Sequence, residues 1–502
     1  MKPPAVEVRH EATWNLSPAS MVVLNCFSTV LEVIFGSCLA RTRHHLASLA
    51  DMSELKSTNI RSAFALFFCL GILEQIITGP VLVLYLYQIA LDVQGPVRSV
   101  STGPNSLVGF NQGVCGVVKL LAVGPISWLV DRDPTRRVLP LRASLFFGLA
   151  TVIIGGFLLH TDQFALATVL TSCCGIFIEL CQSASRAILT DSIPEGKREG
   201  IFVTNWVCYL LGAASGPFLA ALAILASSGS SSASHVKLAL VCGLVAVAPI
   251  ASIIFTFVDP LTRESMECGP KLTNGNDRVN VSNLSVKSCT GRRVPILCVT
   301  FFVVRVFAGG LIVPFFILFF ENDVHLSLIQ VNLLEGCSWF FIAICSKAGA
   351  WISKHFGRAP TMLSIFTLCT ALTFMLRRGL PAPMLMVVFL FRRGLGNCIK
   401  PLLDSVVADF TPSTERGMWN AFLSIGIAGW SGSALLGGIL ADQHGYTFVI
   451  FITSVVYAGS LLLLMALVGL VSDQTDKCPT DPVEAASEDS EPSDAEGSEE
   501  VP

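Results

Sequence analysis

From about residue 63 onward the chain alternates apolar runs of about twenty residues with short polar joints, and that alternation restricts the fold more than any other feature. A helix rising 1.5 Å per residue needs about twenty residues to cross a hydrocarbon core about 30 Å thick. Only 14% of the residues are charged, where a soluble chain of this length carries about 25%. The charges that remain sit mostly in the joints and at the C-terminus. The expectation is an all-α membrane protein with about twelve transmembrane helices in two six-helix, pseudo-symmetric bundles.

The runs place helices near 63–90, 107–129, 140–160, 163–186, 200–226 and 237–258, then near 295–320, 331–352, 360–376, 384–408, 417–441 and 446–471. The domain expectation follows. Residues 1–62 form an N-terminal segment, 63–258 one bundle, 259–294 a polar linker, 295–471 a second bundle and 472–502 an acidic disordered tail. Within the first segment, 19–40 is apolar and long enough to span, yet it holds Asn25 and Glu32 and leads into Arg41 and Arg43. A thirteenth span, an interfacial helix and a processed leader all remain open there. The tail has eleven acids against Lys477, which is the signature of a solvated segment.

The 17 cysteines lie mostly inside apolar runs, without Cys-x-x-Cys pairs or partner histidines, so neither a metal site nor a cofactor is expected. No nucleotide-binding loop or nucleophile–base spacing occurs, which argues against an enzyme. No nucleic-acid partner is expected either. Basic side chains fill one set of alternate loops, among them Arg132, Arg136, Arg137, Lys197, Arg198, Lys354, Arg358 and Arg416. The other set has Arg98, Lys237, Arg377 and Arg378. Lys and Arg mark cytoplasmic loops, so the linker and C-terminus are expected inside a plasma or organellar membrane.

Two halves repeat in parallel. Asp191-Ser-Ile-Pro194-Glu-Gly-Lys-Arg198 closes the fourth run, and Asp409-Phe-Thr-Pro412-Ser-Thr-Glu-Arg416 closes the tenth. A second pair falls in register, Ser127-Trp-Leu-Val-Asp131-Arg132-Asp-Pro-Thr-Arg136-Arg137 against Gly349-Ala-Trp-Ile-Ser353-Lys354-His-Phe-Gly357-Arg358. A proline recurs in the first run of each half, Pro80 and Pro314. Internal repeats of this kind are the mark of a transporter scaffold.

The loop Asp131-Arg132…Arg136-Arg137 resembles the signature between the second and third helices of the major facilitator superfamily. Its usual glycine is Ser127 here, and the second copy has Ser353 where the acid is expected. Gly212-Ala-Ala-Ser-Gly216-Pro217 is similar to the G-x-x-x-G-P motif of that superfamily's proton-linked antiporters, with Ala-Ala replacing Gly-Gly. Gly437-Gly438-Ile-Leu-Ala-Asp442 is a weaker match. The resemblance implies that Asp131 faces the N-terminus of the span starting near Gly417. Arg132, Arg136, Asp191 and Asp409 would complete a cytoplasmic ionic latch. Gly212 and Gly216 would let a neighbouring helix approach closely, and Pro217 would permit a bend.

Ionisable side chains at membrane depth are costly and point to function. Those inside runs are Glu74, Lys119, Glu179, Arg305 and Glu335, with Arg392, Arg393, Lys400 and Asp404 in the tenth. Glu74 and Arg305 lie before Pro80 and Pro314, so in a two-fold arrangement they would face each other across a central cavity. Asn111 and Gln112 would offer neutral hydrogen bonds to a substrate. The functional expectation is a monomeric secondary transporter of a small organic solute working by alternating access, with proton-linked antiport one form of it. An uncoupled facilitator and a non-transporting receptor or scaffold are the alternatives.

Overall fold

The computed structural model describes residues 54–94, 103–193, 198–226, 232–259, 293–377, 379–410 and 416–475. The 19–40 stretch, most of the linker and nearly all of the acidic tail lie outside the described residues. The first half runs through α1 (Glu54–Ile77), α2 (Pro80–Gln94), α3 (Pro104–Asp131), α4 (Val138–Thr161), α5 (Phe164–Ser192), α6 (Arg198–Ala226), α7 (Ser232–Val245) and α8 (Val247–Ile254). The second comprises α9 (Arg293–Ile312), α10 (Phe316–Asn322), α11 (Leu328–Phe356), α12 (Arg358–Met375), α13 (Ala382–Phe410), α14 (Arg416–His444) and α15 (Tyr446–Thr475). Counting α1 with α2, α7 with α8 and α9 with α10, eleven of these stretches are long and apolar enough to cross a membrane, and α14 adds a further helix of 29 residues.

The first span begins nearer Glu54 than residue 63. Asn59 and Ser62 lower the hydropathy there, but both are buried and bonded. Asn59 Nδ2 donates to Val258 O at 2.8 Å, Asn59 Oδ1 accepts from Val258 N at 3.0 Å, and Ser62 pairs with Thr256 at 2.7 Å. A polar side chain satisfied by its neighbours is tolerated inside a bundle, and hydropathy alone does not register that.

Both first spans break at their prolines. Pro80 starts α2 after a turn in which Thr78 N reaches Glu74 O at 2.8 Å, and Pro314 sits in a 3-10 turn, Val313–Phe315. Proline supplies no N–H to the ladder, so the helix axis changes at that point.

Small residues set the tightest approaches. A Cβ on Gly212 would collide with Phe68 O of α1, and one on Gly437 would collide with Leu311 O of α9. The two seams, α1 on α6 and α9 on α14, occupy matching places in the two halves. Between the halves, α3 packs on α14, where Gly109 faces Ala434 O, and α6 packs on α11, where Gly336 faces the Phe218 ring.

Candidate functional site

The halves enclose a cavity of about 310 Å³. Glu74, Gln75 and Thr78 line it from α1 and its terminal turn, and Gln112 lines it from α3. The second half contributes Arg305 and Gly309 (α9), Glu335 and Trp339 (α11), Arg392, Arg393, Gly396 and Asn397 (α13), Trp430 (α14) and Tyr457 (α15). Each set follows helical spacing, as in 74/75/78, 305/309 and 392/393/396/397, so one stripe per helix faces inward. The broken turns at Pro80 and Pro314 are part of the wall.

Glu74 and Arg305 do line one cavity from opposite halves, but no ion pair joins them. Glu74 Oε2 accepts from the buried Tyr209 hydroxyl at 2.8 Å, and Arg305 Nη1 donates to Gly396 O at 2.8 Å. The ion pair of the site is Glu335 with Arg393, both nearly buried and both in the second half. Arg393 also stacks over Trp339, 5.3 Å from its ring centroid. Trp339 Nε1 in turn donates to Gln75 Oε1 at 3.2 Å and bridges the halves. Three guanidinium groups therefore share the cavity with two carboxylates.

Asn111 does not reach the cavity. Its Nδ2 donates to Thr168 and Thr171 of α5 at 3.2 and 3.3 Å. Adjacent helical positions point about 100° apart, so with Gln112 turned inward Asn111 must turn toward a neighbour. Lys119 likewise does not line the cavity and lays its stem against Gly175 of α5. Glu179 is half-buried in α5, outside the cavity. The site expectation lacked Gln75, Tyr209, Trp339, Trp430 and Tyr457, which ordinary composition hides, and undervalued Arg392 and Arg393. Those two arginines inside an apolar run were the signal that could have found them.

The halves are bonded together at one end. Asp442, at the end of α14, accepts from Asn105 N (3.1 Å), Asn105 Nδ2 (2.9 Å), Ser106 N (2.7 Å) and Ser106 Oγ (2.5 Å), the first turn of α3. Tyr446 donates to Asn105 Oδ1 at 2.8 Å, and Asn322 donates to the Tyr446 hydroxyl at 3.1 Å. A carboxylate on unpaired helix N–H groups meets both their hydrogen-bonding need and the positive end of the helix dipole.

The basic-loop end differs. The Asp131 side chain is exposed and has no hydrogen bond among the described residues, and the side chains at the start of α14, which it is expected to face, lie outside them. Arg132 stacks on Trp128 at 5.1 Å, and Arg136 lies 3.9 Å from Asp133. Asp191 pairs with Arg137 of its own half at 2.6 Å. Ser353 Oγ donates to Ala350 O of its own helix at 2.9 Å, and Lys354 is exposed. Gly357 has φ +80, a left-handed turn between α11 and α12 that favours glycine. The side chains of Arg198, Asp409 and Arg416 also lie outside the described residues. Among the described residues no group of three metal-binding side chains occurs and the cysteines are free.

Against known proteins, the chain matches solved transporters along most of its length. A D-xylose–proton symporter is 14% identical over 81% of this chain and 96% of its own, with TM-score 0.63. The fold is that of the major facilitator superfamily. The model of that superfamily also matches the sequence over residues 297–493. A mutant of the nucleoside transporter NupG, with the same fold, is 12% identical over 82% of this chain and 100% of its own, with TM-score 0.58. A bacterial homologue of the human lysosomal transporter Spinster, inward-facing and unoccupied, is 13% identical over 84% and 98%, with TM-score 0.60. A comparison with curated proteins finds no sequence match. The major facilitator fold gives the breaks at Pro80 and Pro314 and the seams at Gly212 and Gly437 their common context, a cavity built between two bundles.

Proposed function

We propose that this chain is a secondary transporter of a small organic solute, working by alternating access between two rocking bundles. The observation that carries the reading is the central cavity, lined with ionisable groups from both halves, in a molecule whose halves are bonded together at one end. The solved transporters of similar fold, for a pentose with a proton and for nucleosides, support the class. The basic loops are read as cytoplasmic, so the bonded Asp442 end is read as the outer one, closed in this state.

Glu74 is the proposed proton carrier. It is faced by Tyr209 of α6, and Lys119 of α3 and Arg186 of α5 lie within electrostatic reach, with Glu179 beside them. It shares the cavity wall with Gln75 and with the helix break at Pro80. An uncoupled facilitator is the second reading, favoured by the Glu335–Arg393 pair, which already neutralises the other cavity carboxylate. The antiporter assignment rests on Gly212–Pro217 alone.

Single cysteines at Gln112 and Asn397, in a cysteine-depleted chain in oriented proteoliposomes, test the transport reading. Membrane-impermeant reagent added from either side in turn should label both sites. Labelling from one side only, whatever solutes and pH gradients are supplied, would leave a receptor or scaffold as the better account.

A further inference from the structure

The cavity's charge is unequal between its walls. Arg305 and Arg392 have no carboxylate partner among the described residues, whereas Arg393 is matched by Glu335. Arg305 bonds a backbone carbonyl, Gly396 O, and Arg392 Nη2 reaches the Tyr457 hydroxyl at 3.4 Å. Arg392, 5% exposed, lies over the Phe316 ring at 4.7 Å. The Nε atoms of both arginines are buried without an acceptor. Because Arg392 and Gly396 are one turn apart on α13, the two guanidinium groups flank the same turn. Glu74, the carboxylate of the other wall, is held by Tyr209 of its own half.

A guanidinium does not shed its proton inside a protein, so this charge cannot be removed by titration. At membrane depth an unmatched cation is costly and calls for a counter-charge. Its planar fork fits the paired oxygens of a carboxylate or a phosphate. Trp339 and Trp430 line the same cavity and offer flat apolar surface to the remainder of a ligand.

We propose that the solute is a small organic anion with an aromatic or apolar body. Its acidic group, carboxylate or phosphate monoester, lies on Arg305 and Arg392, and its body lies against Trp339 and Trp430. This rests on the transport reading above and adds the substrate class to it.

The test uses the purified full chain and four probes of similar size: phenylacetate, phenyl phosphate, phenylacetamide and phenethylamine. Thermal stability is followed as each is titrated. A ligand that binds the folded chain raises Tm in a saturable way. The expected result is stabilisation by phenylacetate or phenyl phosphate, with the better of the two naming the acidic group, and none by the neutral amide or the amine. Arg305→Gln and Arg392→Gln should each weaken the anion at least about tenfold, as loss of a charge-assisted hydrogen bond does. Arg305→Lys and Arg392→Lys keep the charge and should keep the preference for anion over amide, which covers the case in which the glutamine variants do not fold. Equal stabilisation by the amide, preference for the amine, or no response to either anion overturns the proposal. Two-sided labelling of the cavity cysteines would still report transport in each of those cases, so the two readings fail separately.

Discussion

The two ends of the molecule use related chemistry with opposite results. At one end the Asp442 carboxylate sits on the first turn of α3 and joins the halves through four hydrogen bonds. At the other, Asp131, the acid that the loop motif marks for the same task, is exposed and unbonded among the described residues. Carboxylates on helix starts at both ends, engaged in turn, are what a two-state rocker requires, because each state then has a contact the other lacks. Under the proposed function, the bonded Asp442 end is read as the closed end of such a rocker.

Breaking that comparison at its centre gives the largest effect. Glu74→Gln should abolish proton-driven uptake in proteoliposomes while leaving expression and Tm near normal. Arg305→Ala should weaken solute binding at least about tenfold. Since these residues contact different partners, Tyr209 and Gly396, their effects on cavity-ligand affinity should be nearly additive. Strong non-additivity would mean that they pair in a state other than this one.

Asp442→Ala comes next. Losing a partly buried carboxylate at a helix N-terminus costs up to about 2 kcal/mol, about a thirtyfold change in population away from this state. Cysteine accessibility on the two sides of the cavity measures it. Asp131→Asn should act in the opposite direction, favouring this state about fivefold for a loss of about 1 kcal/mol. Ser353→Ala should do little, since Ser353 offers only a neutral hydrogen bond. Equal effects from Asp131→Asn and Ser353→Ala would remove the asymmetry of the two loop motifs.

Much of this was legible in the chain. Twelve helical stretches, the paired proline breaks and the buried charges all follow from run length and residue type. The start of α1 was not, because Asn59 and Ser62 find their partners on α5 and after α8, far away in sequence. Nor was helix rotation. A lipid-facing side and a packed side are both apolar, so hydropathy does not choose between Asn111 and Gln112, and only one of the two can face the cavity. Asp442 read as a weak motif match because its role depends on Asn105 and Ser106 in the other half. The Asp131 loop was legible as a motif, and the side chains at the start of α14 that it is expected to face lie outside the described residues.

The smallest expected effect lies at the same end as Asp442 but within one half. Asp162, in a left-handed turn after α4, accepts from Lys237 at 2.7 Å and from the Tyr85 hydroxyl. Burial pushes its carboxyl up, but the bonds from Lys237 and Tyr85 outweigh it and hold the group below the usual carboxylate range. Its contribution to stability is thus present above the ordinary carboxylate pKa and is lost as pH falls through the lower folded value. The pair is 30% and 48% exposed, so Asp162→Asn should cost less than about 1 kcal/mol at neutral pH and nothing in strong acid. A cost that persists unchanged at low pH would show that geometry and not charge matters there.

The central claim is that the two ends open and close in opposition, and spin-label distances test it most directly. One label pair, at the exposed Leu139 and Phe356, reads the basic-loop end; a second, at the exposed His160 and Gln443, reads the Asp442 end. In a cysteine-depleted chain in nanodiscs, each pair should give two distance populations. Asp442→Ala should shift weight toward the shorter Leu139–Phe356 distance and the longer His160–Gln443 distance together. A single distance at both ends, unmoved by Asp442→Ala and by phenylacetate, would contradict the account.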